Sequence, residues 1–340
     1  MPAPTRAFIT GCNALQLTDE ERAFIKKNQP WGLILFKRNI DNPAQVIQLT
    51  EDFREIVERE NAPVLIDQEG GRVQRMGPPH WPKYPPAATL GNLPVSIQTR
   101  ASLVCDSARL MAEDLRACGI NVDCMPVLDV PAPGGHDVIG DRAYGKDAAT
   151  VTSLGRAACE GLLGGRVLPV IKHLPGHGRA GADSHLELPV VTASLADLTA
   201  SDFAPFLGLN TMPLAMSAHV VYTAIDPDHP ATTSKKVVRD YMRGHIGFDG
   251  LIMSDDLAMK ALKGSFHEKT EALFSAGLDM ALYCHFDAAS AQEVAEASPV
   301  LDGKRAERAL RALKMIEGKP DPFDRDAAWA RLQGVLSPSV

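Results

Sequence analysis

Short apolar runs alternate with amphipathic stretches from one end of the chain to the other, and this rhythm limits the fold more than any other feature. The runs are Ala7–Thr10, Gly32–Phe36, Val64–Ile66, Gly119–Val122, Val167–Ile171, Leu214–Ser217, Gly250–Met253 and Met280–Tyr283. They are continuous rather than alternating, as strands are when both faces of a parallel sheet are covered. Helices are predicted between them. Thr18 with Glu21 forms a capping box. Asn42-Pro43 opens a second helix with proline at its first position, and Val46, Leu49, Phe53, Ile56 and Val57 follow at helical spacing. Further helices are expected over Ser96–Cys118, Ala148–Leu163 and Leu195–Leu207, and two more close the chain. Repeated βα units predict a parallel sheet. With no linker in view, a single (β/α)8 TIM barrel spanning 1–340 is favoured over a doubly wound sheet.

Composition removes some functions. Net charge is -7 and no Lys/Arg cluster makes a basic face, so a nucleic-acid partner is not expected. No apolar run approaches the ~20 residues that span a bilayer, and Met1–Gly11 lacks the pattern of a signal peptide. Cys12, Cys105, Cys118, Cys124, Cys159 and Cys284 form no CxxC pair and sit mostly in apolar stretches. They read as buried free thiols of a reducing compartment, which implies a cytoplasmic protein.

The ionisable residues are distributed tellingly. Asp67, Lys172-His173, His219 and Asp255 each come just after an apolar run. In a barrel these positions share the C-terminal rim, where active sites are built. Three segments stand out. Asp67-Gln-Glu-Gly-Gly-Arg-Val-Gln-Arg75 offers a carboxylate acceptor and the planar fork of Arg75 around a tight glycine turn. Lys172-His-Leu-Pro-Gly-His-Gly-Arg-Ala-Gly-Ala-Asp-Ser-His185 packs poorly and reads as a functional loop, in which Asp183 can orient His185 as a proton shuttle. Leu251-Ile-Met-Ser-Asp-Asp-Leu-Ala-Met259 ends a buried strand in two carboxylates. Asp255 is expected to enter the mouth, and Asp256 to point elsewhere and cap the following helix. His219 is a further candidate for lining the pocket. Asp129 reads as a structural residue of a rim loop; His80, His136, His229, His245 and His267 read as surface or loop positions. On residues alone, His173, His177, His185 and Asp255 could instead gather around a metal, although no HExxH motif is present. A sugar-binding barrel without catalysis also stays open.

Together these segments resemble family 3 glycoside hydrolases, specifically the single-domain bacterial β-N-acetylglucosaminidases. The resemblance rests on Lys172–Gly178, Asp183-Ser184-His185 and Ser254-Asp255, and extends to Asp67–Arg75, Val138–Arg142 and Ala276–Met280. Leu174 stands where the family usually has phenylalanine. The resemblance implies Asp255 as nucleophile, His185 as general acid/base held by Asp183, and Asp67, Arg75, Arg142, Lys172 and His173 as the residues that grip N-acetylglucosamine. It further implies a monomer needing no cofactor or metal, acting on peptidoglycan fragments in which N-acetylglucosamine is joined to anhydro-N-acetylmuramic acid. A glycoside phosphorylase is the close alternative, because a histidine acid/base would not repel phosphate.

Overall fold

A computed structural model describes residues 4–132, 137–182, 184 and 187–336. Its centre is a closed barrel of eight parallel strands: β1 Arg6–Thr10, β2 Pro30–Leu35, β3 Val64–Ile66, β4 Val122–Asp123, β5 Leu168–Leu174, β6 Leu214–Ser217, β7 Leu251–Asp256 and β8 Met280–Tyr283. They pair in chain order, and β8 closes onto β1. The expected (β/α)8 barrel is therefore what forms. β4 starts three residues later than the apolar run does, because Gly119 adopts φ +77 and still belongs to the turn.

Period-two alternation divides the strand side chains into two layers. Ile9, Leu65, Val122, Val170, Leu214, Met216, Leu251, Met253, Met280 and Leu282 pack together in the lumen. Phe8, Leu33, Val64, Ile66, Ile171, Ala215, Ile252 and Ala281 face outward into the helix layer. The principal helices of that layer are α1 Asp19–Asn28, α2 Pro43–Val57, α3 Ile97–Ala117, α4 Ala148–Gly164, α5 Phe266–Ala276, α6 Ala288–Ala297, α7 Gly303–Lys314 and α8 Arg325–Leu336. The capping box on α1 is made in full, with Thr18 and Glu21 each satisfying the other's backbone N–H. Asn42 caps α2 through the N–H of Gln45.

The helix expected over Leu195–Leu207 is broken instead. Leu195–Asp197 passes into a π-helical turn, Leu198–Asp202, and a separate turn Ala204–Gly208 follows. Pro205 has no N–H, and its ring would clash with the carbonyl one turn back, so it can only sit in a first turn. The break leaves Asp202 buried, where it accepts from Arg179 Nε at 2.6 Å. All six cysteines are unpaired. No helix among the described residues is long and apolar enough to cross a membrane.

At the rim, two strands carry one residue more than their neighbours. Met253 pairs with Met280, but Asp256, three residues on, pairs with Leu282. Lys172 pairs with Met216, while Leu174 pairs with Ser217. Such β-bulges re-aim side chains locally.

Candidate active site

Extending the lumen pattern by one step reaches the site. Leu65, Val170, Met253 and Leu282 face inward, so Asp67, Lys172, Asp255 and Cys284 come next on the same side. The bulges add a neighbour to two of these positions. His173 joins Lys172, and Asp256 joins Asp255, around one cavity of about 260 Å³. The expectation that Asp256 points away from the mouth is thus corrected: the extra residue in β7 keeps both carboxylates at the cavity. Asp256 caps a turn rather than a helix, its Oδ1 accepting from the N–H groups of Ala258 and Cys284 at 3.1 Å each.

Charge on one wall is tightly paired. Lys172 is 2% exposed; its Nζ donates to Asp67 Oδ1 at 2.9 Å and lies 2.6 Å from Glu69 Oε1. Arg75 donates to Asp67 Oδ2 at 3.0 Å. Arg142, from the turn Gly140–Arg142, grips Glu69 with both arms of its fork at 2.7 and 2.8 Å. Burial pushes both carboxyls up, but Lys172 and the arginines outweigh it and hold Asp67 and Glu69 below the usual range. Lys172 is held above its ordinary value, because the two carboxylates overcome its own burial.

The opposite wall holds Asp255. Burial would raise its pKa, yet His173, His219, the Asp256 N–H and Lys172 bring it below the ordinary value. Asp256 differs: burial wins there, and its carboxyl is pushed up. Two adjacent aspartates are driven apart, one toward the charged form and the other toward the neutral form. His219 lies beneath them, fully buried, with Nδ1 2.8 Å from Thr232 Oγ1 and Nε2 3.2 Å from the Asp256 carbonyl. It braces the end of β7 from below rather than lining the cavity.

The entrance is partly aromatic and cationic. The Phe36 ring lies under two guanidinium groups, Arg38 at 4.8 Å and Arg75 at 5.2 Å from its centroid. Arg38 is itself fixed by the carbonyls of Cys12 and Cys284, at 2.9 and 2.5 Å. His285 completes the rim, 3.6 Å from Asp256 Oδ2.

The loop after β5 is anchored at its root. His177 N–H donates to Asp129 Oδ1 at 2.6 Å, Tyr222 OH donates to the Gly176 carbonyl, and the Ser184 carbonyl accepts from Ala261 N–H at 3.3 Å. A Cβ at Gly178 would lie 2.0 Å from the Val130 carbonyl, so only glycine fits there. Asp183 and His185, the expected dyad, lie outside the described residues. Among the described residues no group of three or more His, Cys, Asp or Glu side chains is arranged to hold a metal ion.

Asp67, Arg75, Arg142, Lys172, His173 and Asp255 from the sequence reading all meet at this cavity. Sequence reasoning missed Glu69, Phe36, Arg38 and His285, and took Asp129 as a plain structural residue. Glu69 could have been found, because it stands two residues after Asp67 and so on the same face of an extended segment.

Comparisons with known proteins agree on one family. Residues 8–313 match the family model described as "Glycosyl hydrolase family 3 N terminal domain". A curated beta-hexosaminidase of Bordetella avium is 37% identical over 292 residues, covering 84% of this chain and 81% of its own. Another, of Tolumonas auensis, is 34% identical over 97% of this chain and 93% of its own. Among solved structures, NagZ from Neisseria gonorrhoeae in complex with N-trifluoroacetyl-D-glucosamine superposes with a TM-score of 0.86 at 31% identity, covering 98% of this chain and 99% of that one.

Proposed function

The chain belongs to glycosyl hydrolase family 3, and from that premise we propose that it is an exo-acting, retaining β-N-acetylglucosaminidase. Its relatives are named beta-hexosaminidases, and a structural neighbour holds an N-acylglucosamine analogue. A cavity of about 260 Å³ suits a single sugar ring better than an oligosaccharide.

In this reading Asp255 attacks the anomeric carbon and forms a C1–O bond, while the glycosidic C1–O bond breaks. His185, oriented by Asp183, donates a proton to the departing oxygen. It then takes a proton from water, which displaces Asp255 and restores its carboxylate. Two inversions give net retention. Asp67, Arg75, Arg142, Lys172 and His173 bind the hydroxyls and the acetamido group. The observation that carries the reading is the gathering of Asp255 with Asp67, Arg75, Arg142, Lys172 and His173 around one cavity; in support, the surroundings of Asp255 favour a carboxylate, as a nucleophile needs, while burial pushes Asp256 up. The natural substrate would be N-acetylglucosamine joined to anhydro-N-acetylmuramic acid, with or without its peptide. It would be cleaved by a monomeric single-domain enzyme, without cofactor or metal, during cytoplasmic recycling of peptidoglycan.

A slow fluorinated N-acetylglucosaminyl donor tests the nucleophile. Labelled peptide mapping should find the sugar on Asp255, and Asp255→Ala should abolish turnover while the protein stays folded. A label on Asp256, or substantial activity in Asp255→Ala, sinks the assignment. The substrate proposal fails separately if the enzyme leaves purified anhydro-muropeptides uncut.

A further inference from the structure

The mouth contains a second carboxylate–histidine contact, apart from the loop dyad. Asp129 lies beyond β4 and is completely buried. Its Oδ1 accepts from the backbone N–H of His173 at 3.2 Å and of His177 at 2.6 Å, and its Oδ2 lies 2.7 Å from His173 Nδ1. Burial acts to raise this carboxyl, yet the two histidines and these hydrogen bonds bring it down to about 2. An ionised carboxylate can only accept, so Nδ1 of His173 must carry the proton. The imidazole borders the cavity beside Asp255. Its Nε2 has no hydrogen-bonding partner among the described residues. With Nδ1 protonated, a neutral His173 presents Nε2 as a lone pair.

We propose that Asp129 is a positioning residue for the reaction: it fixes His173 in the Nδ1–H tautomer, so that Nε2 accepts a hydrogen bond from a hydroxyl of the bound sugar. The inference rests on the proposal above that His173 grips that sugar. Asp129 does two separable things. Oδ1 ties down the backbone at His173 and at the root of the loop that leads to His185. Oδ2 selects the tautomer.

Asp129→Asn separates the two. A carboxamide oxygen can still take both backbone N–H groups, while its NH2 would donate to Nδ1 and force the proton onto Nε2. The pocket would then meet a sugar hydroxyl with a donor in place of an acceptor. With 4-nitrophenyl N-acetyl-β-glucosaminide we expect kcat/KM to fall about 10- to 100-fold, by analogy with the loss when the partner that orients a metal-ligating histidine is removed. The melting temperature should stay within a few degrees of wild type. In the His173→Gln background, Asp129→Asn should cost little more, since both changes act through one ring.

Nitrogen-15 NMR of histidine-labelled protein, with His173 assigned by its absence from His173→Gln, should show protonated Nδ1 in wild type and protonated Nε2 in Asp129→Asn. Wild-type activity in Asp129→Asn overturns the inference, as does an equal loss in the His173→Gln background. If Asp129→Asn does not fold, the wild-type spectrum still decides: protonated Nε2 in the native enzyme overturns the inference. Should His173→Gln itself keep full activity, the reading of His173 as a sugar ligand falls. Damage in His173→Gln without damage in Asp129→Asn removes only the role given to Asp129.

Discussion

Replacing Lys172 with methionine isolates the charge arrangement at the heart of the barrel. The side chains are similar in length, so the volume is nearly kept while one buried cation disappears. Asp67 and Glu69 each lose one of two cationic partners. Removing one member of a buried ion pair costs about 3–5 kcal/mol. Each carboxylate keeps an arginine, so the lower end, about 3 kcal/mol, applies. Unfolding entropy of about 2.1 cal/mol/K per residue gives about 0.7 kcal/mol/K for 340 residues, and the melting temperature at pH 7 should drop by about 4 °C. The loss should depend on pH in one direction. In the wild type both carboxyls are held below their ordinary values, so they add stability above about pH 4 and lose it as pH falls further. Without Lys172 those values rise, and near pH 4 the carboxyls can protonate to relieve the repulsion. The gap between the two proteins should therefore narrow from pH 7 to pH 4, as read by calorimetry at both. A drop below 1 °C at pH 7, or an undiminished gap at pH 4, would refute the argument.

Three further outcomes are expected. His177 is buried and its pKa is lowered to about 4, chiefly by that burial. The unfolded chain then binds the extra proton between pH 6.5 and 4, and native stability should decline across that window by up to about 3 kcal/mol; His177→Gln should flatten this part of the stability profile, and an unchanged slope would count against it. Gly178→Ala forces the loop off the Val130 carbonyl, so kcat should fall at least tenfold on alkyl glycosides but much less on nitrophenyl ones, whose leaving group needs little protonation; equal losses on both would contradict this. Asp279, at the far end of the barrel, accepts from Ile252 N–H, Arg243 and Arg308 at 2.5–2.9 Å; Asp279→Ala should lower the melting temperature by about 4–7 °C with KM unchanged, and a shifted KM would show that this end reaches the site.

The barrel was legible because its signal is local. Each strand is a short apolar run, and the positions of all eight follow from composition within a few residues. Pro205 shows where local reading stopped: it permits the first turn of a helix, and the hydrophobic pattern alone carried the expected helix through it. The site was legible in part. Side chains that end strands announce themselves, as Asp67 and Asp255 do. Pairing between distant segments does not. Lys172 meets Asp67 across 105 residues of chain, and nothing near Glu69 points to Arg142. Asp129 looked inert because its partner, His173, is brought to it only by the parallel pairing of β4 with β5.

The extra residue in β5 and in β7 reaches beyond local geometry. A regular strand gives the mouth of a barrel one side chain at its tip, because the next points into the helix layer. Here two strands deliver consecutive residues, Lys172 with His173 and Asp255 with Asp256, to the same cavity. The barrel thereby gains functional density without a wider mouth or another strand. A designer who copied only the residue identities onto an idealised barrel would turn one of each pair out of the cavity. The irregular register at the two strand tips belongs to the blueprint as much as the side chains do.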